Sequence, residues 1–333
     1  MGIGMMKRIS YILLIALSIM ACRPTGKSDG FTLTGTVPAG FTGKVYLQEY
    51  KNRKYIDLDS AEISEGRFIF TGILAEPAVY TITSSQKSKR IQLFLDNGPL
   101  DLEVTDDWEV ALLKGSEEAE MFHRMLPVMA KGTASPDSLL LANPASSAAL
   151  YFLNRNIYKY DYERLKLIRK QLSASLNSHS YMKELEENLA RLENVLPGKV
   201  APDFALPTVS GDTLSLSSLR GEYLLVDFWA SWCPDCRKAS PTLVELHERF
   251  KDKNLTIVGV SIDEERSRWL NAIEKDGLAW QQVISEGGWN SNELKAYAVR
   301  WLPTSYLIDP EGVIVAKSIE VSRLIPQIEA LLN

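Results

Sequence analysis

The chain has 333 residues, 45% of them hydrophobic and 24% charged, a balance that suits folded domains and is large enough for two or more cores. Its formal net charge is -5, with no basic cluster in the body of the chain. Such a chain lacks the electrostatic footprint of a nucleic-acid binder, and no nucleic acid is expected among its partners.

The first residues form a unit of their own. Lys7 and Arg8 precede an apolar run from Ile9 to Met20, followed by Ala21 and Cys22. A run of this length fits the core of a bacterial export signal and falls short of the roughly 20 residues that span a bilayer. Ile19-Met20-Ala21-Cys22 resembles the lipobox of bacterial lipoproteins, which implies that residues 1–21 are a signal peptide and that Cys22 is acylated. Cleavage there leaves a chain two charges more negative, with 22–30 as a polar tether. The expected address is the cell envelope, lipid-anchored and facing the periplasm. Arg23 stands where an Asp would favour retention at the inner membrane, so family analogy favours the outer membrane.

Over 31–113, short alternating stretches are separated by turn residues, among them Phe31–Gly35, Arg67–Phe70, Val79–Ile82, Ile91–Leu95 and Leu100–Val104. Period two with breaks at this spacing predicts a small all-β, sandwich-like accessory domain. Gly66–Gly72, with Pro77 and Tyr80 after it, resembles an uncharacterised β-domain found in front of thioredoxin domains in Bacteroidetes-type lipoproteins, which implies an accessory or docking role. Over 114–197 the period becomes helical, predicting a helical connector that starts at an N-cap on Ser116. Further helices are expected over 146–156, 160–172 and 181–195, the last carrying the stripe Leu185, Leu189, Leu192 and Leu196, read as packing. The tyrosines at 151, 158, 160 and 162 are read the same way.

From 198 to 333 strands alternate with helices: a strand over 223–229, a helix over 234–251, a strand over 255–261, a helix over 264–276 and a short helix near 291–297. Strands over 306–309 and 313–317 flank the turn Asp309-Pro310-Glu311-Gly312, and a closing helix follows. This predicts an α/β sheet ending in an antiparallel hairpin.

The chemistry concentrates at Cys233-Pro234-Asp235-Cys236, between the first of these strands and its helix. Two intervening residues on a first helical turn bring both sulfurs within bonding reach, while unpaired backbone N–H groups and the helix dipole stabilise a thiolate on the first. Cys233 is therefore read as the exposed nucleophile and Cys236 as the thiol that resolves the mixed disulfide. With Cys22 assigned to lipid, no cysteine remains for a structural disulfide.

Leu224 to Arg237 resembles the active-site strand and helix of thioredoxin-like proteins. Ala201-Pro202-Asp203-Phe204, Val258 to Asp263 and Val299 to Asp309 further resemble the TlpA/ResA branch of thiol-disulfide oxidoreductases. The resemblance covers roughly 198–333 and implies an α/β thioredoxin-like fold. It implies a cis bond before Pro303 beside the two cysteines, and a backbone at Leu302 offered to a substrate strand, with Trp232 and Pro234 also facing substrate. It makes Asp227 a buried acid beneath the dithiol, raised in pKa by desolvation and suited to take the proton of the resolving thiol. The expected reaction is dithiol–disulfide exchange with disulfide- or dithiol-bearing proteins or small thiols, acting as a reductant that a membrane or periplasmic electron donor recharges. No cofactor is implied, because the electrons pass through the cysteines.

Two departures from the family pattern stand out. Asp235 occupies a spacer position where Pro is more usual; its charge disfavours the thiolate and shifts the couple toward reducing character, partly offset by Arg237 and Lys238. The strand over 257–261 lacks the Lys that neighbours the buried acid in cytosolic thioredoxins. A zinc site needs four ligands, and with Cys22 assigned and only His123, His179 and His247 available, no metal is expected. A peroxiredoxin-like thiol peroxidase is the enzymatic alternative, weakened by Ala230 where that chemistry needs Thr. A non-enzymatic envelope binding module is the other alternative, and it gives no reason to keep both cysteines. The tryptophans at 269, 280, 289 and 301 are expected to fill core in at least half of the cases and otherwise to line a substrate groove.

Overall fold

The computed structural model describes residues 30–51 and 53–332. The expected signal peptide, Cys22 and most of the tether lie outside the described residues. No helix among the described residues is long and apolar enough to cross a membrane.

The first region is a β-sandwich. Its strands are β1 (Phe31–Thr36), β2 (Lys44–Lys51), β3 (Lys54–Glu62), β4 (Arg67–Gly72), β5 (Ala78–Ser84), β6 (Lys87–Leu95), β7 (Pro99–Val104) and β8 (Val110–Lys114). They form two four-stranded sheets, ordered β4-β1-β7-β8 and β3-β2-β5-β6. The alternation in the sequence is the cause: Leu33, Phe68, Phe70, Leu100 and Leu102 turn inward from one sheet to meet Val45, Leu47, Ile82, Ile91 and Leu93 from the other. Gly35 lies beneath the Phe68 ring, and a Cβ there would collide with it. The strand β3 is an edge strand, exposed along almost its whole length, with Tyr55, Ile56 and Leu58 open to solvent.

The connector is built from α1 (Glu117–Ala130), α2 (Pro136–Ala142), α3 (Ser147–Arg155), α4 (Tyr162–Gln171) and α5 (Ser180–Glu193). The side chain of Ser116 caps α1 by accepting from the Ala119 N–H at 3.1 Å, and Ser146 and Asp161 cap α3 and α4 in the same way. The start of α5 is pinned to the sandwich. His179 Nε2 bonds the Pro77 carbonyl at 2.9 Å, and the Tyr181 hydroxyl accepts from the Val79 N–H at 3.0 Å. From the leucine stripe, Leu185 is buried in the connector core and Leu192 packs against both that core and the next.

The last region holds β9 (Ala205–Pro207), β10 (Thr213–Ser215), β11 (Tyr223–Trp229), α6 (Pro234–Phe250), β12 (Leu255–Ser261), α7 (Arg266–Asp276), β13 (Gln281–Ile284), α8 (Asn292–Ala296), β14 (Thr304–Ile308), β15 (Ile314–Ser318) and α9 (Ile325–Leu332). Its main sheet runs β13-β12-β11-β14-β15, with β11, β12 and β13 parallel and β14 and β15 antiparallel. This is the thioredoxin-like fold. The hairpin β9–β10 and the strand β13 carried no clear sequence pattern, because both are short and β13 is recognisable only by pairing to β12.

Candidate active site

Strand β11 is buried over Leu224–Trp229, so the chain is fixed as it leaves the sheet and turns into α6. Cys233 is the N-cap of α6 and Pro234 its first residue, where a missing N–H is harmless and the ring's dihedral suits a helix. Cys233 and Cys236 are disulfide-bonded, with Cα atoms 5.3 Å apart, and Cys233 Sγ also accepts from the Cys236 N–H at 3.1 Å. The expectation of an exposed Cys233 needs correction in this oxidised state. Cys233 is 5% exposed against 4% for Cys236, because its sulfur is turned into the first helical turn by the bond to Cys236. What separates the two sulfurs is position: Cys233 sits at the helix end, where the dipole favours an anion. Its neighbour Trp232 is 48% exposed and packs near Trp289, ring centres 6.3 Å apart.

Asp227 lies inside the sheet, paired in register with Gly259 on β12 and Ser305 on β14. It shares a small cavity with Cys236, Ser240 and Gln282. Burial pushes its carboxyl up to about 7, opposed by the Ser305 hydroxyl, which donates to Oδ1 at 2.7 Å. The side of β12 that faces Asp227 offers Gly259 in place of a Lys, and a Cβ there would strike Gln282. Gln282 accepts from Trp229 Nε1 at 3.2 Å, and its own Nε2 has no partner among the described residues. Gln282 and Ser305 escaped the sequence reading because their relation to Asp227 exists only through sheet pairing.

The Leu302–Pro303 peptide bond is cis, and Pro303 lines one groove with Asp235, Lys238 and Trp301. Leu302 is buried. Thus Asp227 and Cys236 share one cavity, and Pro303 lies in a groove beside the start of α6, the helix that carries the two cysteines. Asp235 is exposed at the helix start.

A second buried acid holds the turn in front of the cysteines. Asp263, 1% exposed, accepts from the Ser231 N–H at 2.8 Å, the Ser231 hydroxyl at 2.6 Å and the Ser261 hydroxyl at 2.7 Å. Arg237 binds the Ser231 carbonyl at 3.1 Å and forms a two-pronged ion pair with Asp276. The turn Ala230–Trp232 is therefore clamped from both sides. Asp263 belonged to a recognised motif, but its role was invisible without the contact.

The tryptophans divide evenly. Trp269 and Trp280 are core; Trp289 is half-buried under the Arg53 guanidinium, 3.9 Å from its ring centre, and Trp301 is partly exposed and stacks on Tyr158 at 4.4 Å. Arg53 sits at the tip between β2 and β3, so the sandwich reaches the rim of the site. His247 packs against the Trp280 ring.

Comparison with known proteins agrees with the thioredoxin-like fold of the last region. Residues 197–317 match the AhpC/TSA family, and 31–122 match a domain of unknown function, DUF4369. The thiol-disulfide oxidoreductase ResA of Bacillus cereus is 32% identical over 127 residues, which cover 38% of this chain and 72% of that protein. The chain belongs to the ResA family of thiol-disulfide oxidoreductases. ResA of Bacillus subtilis is likewise 32% identical, over 37% of this chain and 67% of its own. A solved thiol-disulfide oxidoreductase from Bacteroides fragilis is 41% identical, covering 40% of this chain and 100% of its own, with a TM-score of 0.39. In ResA-family terms the matched part is the thioredoxin-like region, with the β-sandwich and connector standing before it.

Proposed function

We propose that this oxidoreductase reduces disulfides of envelope proteins through Cys233 and Cys236, with Asp227 as the proton acceptor. The observation that carries the reading is the disulfide at the start of α6 with a buried carboxyl, raised to about 7, sharing a cavity with Cys236. The Cys233 thiolate attacks a substrate sulfur, forming a mixed disulfide and releasing the other substrate sulfur as a thiolate. Asp227 takes the proton of the Cys236 thiol, and the resulting thiolate attacks Cys233 Sγ. This closes the Cys233–Cys236 bond and frees the second substrate thiolate. Two electrons have passed to the substrate, and a membrane or periplasmic dithiol donor must return them.

Trp232, Pro234, Leu302 and Pro303 are assigned to contact substrate, the Leu302 backbone pairing with an extended segment. Acylation of Cys22 would hold the protein on the periplasmic face of an envelope membrane, the outer membrane for preference. A Cys22→Ala variant is then expected to lose incorporation of labelled fatty acid, and label retained in that variant would refute the anchor.

Equilibration with glutathione or dithiothreitol buffers, followed by thiol trapping, tests the chemistry. A potential near roughly -270 mV marks a reductant, and one near about -120 mV an oxidant. A Cys236→Ser variant should accumulate a mixed disulfide on Cys233. A pair that forms no reversible disulfide would sink the assignment.

A further inference from the structure

The groove beside Pro303 does not end at the catalytic region. Trp301 and Ile319 line both that groove and a cleft of about 440 Å³ between the connector and the thioredoxin-like region, so the two adjoin. On the connector side stand Tyr158 and Lys159; on the other stand Arg300, Lys317 and Arg323. Arg300 is paired with Glu184 of α5 at 2.8 Å, and Arg323 with Glu320 at 2.8 Å. Lys317 has no carboxylate partner among the described residues. Its ammonium reaches only the Ala298 carbonyl, at 3.5 Å, and lies 5.3 Å from the centre of the Tyr306 ring. The lone acid of the lining, Asp161, already caps α4 by accepting from the Arg164 N–H at 2.7 Å.

Lys317 is partly open by surface area, yet its surroundings are close enough that burial lowers its pKa to about 8. An ammonium held out of bulk water without a counter-ion favours the arrival of a carboxylate, which restores the lost solvation. The groove beside the dithiol sets Asp235 and Glu320 against Lys238, whereas the cleft beneath the connector sets Lys159, Arg300, Lys317 and Arg323 against the single acid Asp161, so positive charge is concentrated beneath the connector.

We propose that this connector-walled cleft is a subsite for acidic side chains of an extended polypeptide whose disulfide is presented to Cys233, with Lys317 as the principal contact. The inference rests on the dithiol chemistry above and names its substrate class. A polypeptide is the occupant the geometry favours, because the track runs from Asp235 and Pro303 past Trp301 to Tyr158 and Arg323, away from the reacting sulfurs. The connector thereby becomes part of the specificity machinery.

The test uses the reduced full chain and two synthetic peptides with the same internal disulfide, one flanked by Glu and the other by Gln at the same positions. Oxidation of the enzyme is followed by tryptophan fluorescence. The Glu peptide is expected to show a kcat/KM about fivefold higher, falling toward parity in high salt. Lys317→Gln should bring the ratio to one, and Lys317→Arg should keep it above one. Should Lys317→Gln fail to fold, Lys159→Gln at the rim provides a second variant, expected to lower the ratio partway. A wild-type ratio of one, or a ratio untouched in Lys317→Gln and Lys159→Gln, would overturn the subsite. Oxidised glutathione, a small disulfide with its own carboxylates, is the third arm; Lys317 dependence confined to it would overturn the polypeptide assignment. If neither peptide oxidises the enzyme, the dithiol reading itself fails, an outcome separate from loss of the Glu preference.

Discussion

Replacing Asp227 by Asn isolates what the buried carboxyl does. Its pKa rises from 3.8 in an open chain to about 7 in the fold, with burial the main cause. Below pH ~4 the carboxyl is protonated in both states and makes no pH-dependent demand on folding. As pH rises through 4 to 7 the unfolded chain ionises readily while the folded one resists, so stability is lost across that window. The difference corresponds to about 4 kcal/mol, nearly all of it gone by pH ~8. Asn keeps an oxygen to accept from Ser305 and has no proton to lose. Urea unfolding of the oxidised wild type and Asp227→Asn at several pH values should therefore give curves that diverge from pH ~4 upward, with the variant more stable at neutral pH. Enzyme turnover should move the other way: without an acceptor for the Cys236 proton, resolution of the mixed disulfide slows at neutral pH and recovers as pH climbs toward the ordinary thiol pKa. Parallel stability curves for the two proteins would refute the argument, since the carboxyl could not then be perturbed as its burial requires.

Asp235→Pro should raise the redox potential by about 10–20 mV at low salt, the small size following from the exposure of Asp235, and by less in high salt; an unchanged potential measured in glutathione buffers removes the electrostatic account. Asp263→Ala leaves three donors unpaired around the Ser231 turn and should destabilise the protein by about 3 kcal/mol in denaturant titration, with slower thiol attack by Cys233. A stability within error of wild type would show that the turn is held by other contacts. Arg53→Ala should expose Trp289 and increase acrylamide quenching of its fluorescence, at a stability loss of about 1 kcal/mol or less; identical quenching would mean that the sandwich does not cover this rim in solution.

Much of the architecture was legible because it is written locally. Alternation at period two drew Leu33, Phe68 and Phe70 into the sandwich core, Ser116 announced a helix start by its side chain, and the turn residues Asp309-Pro310-Glu311-Gly312 marked the β14–β15 hairpin. The short strand β13 and hairpin β9–β10 were not legible, since three or four residues carry no period and take their identity from a neighbour.

The amino-acid sequence by itself determined the dithiol: two residues between cysteines at a helix start place both sulfurs in reach, whatever else surrounds them. Tertiary structure alone decided how that dithiol is tuned and what can approach it. Asp227 meets Ser305 across 78 positions of sequence, Ser231 meets Asp263 across 32, and Arg300 meets Glu184 across 116. Desolvation, clamping and the charged cleft all depend on which distant groups are brought together, and no local pattern encodes that.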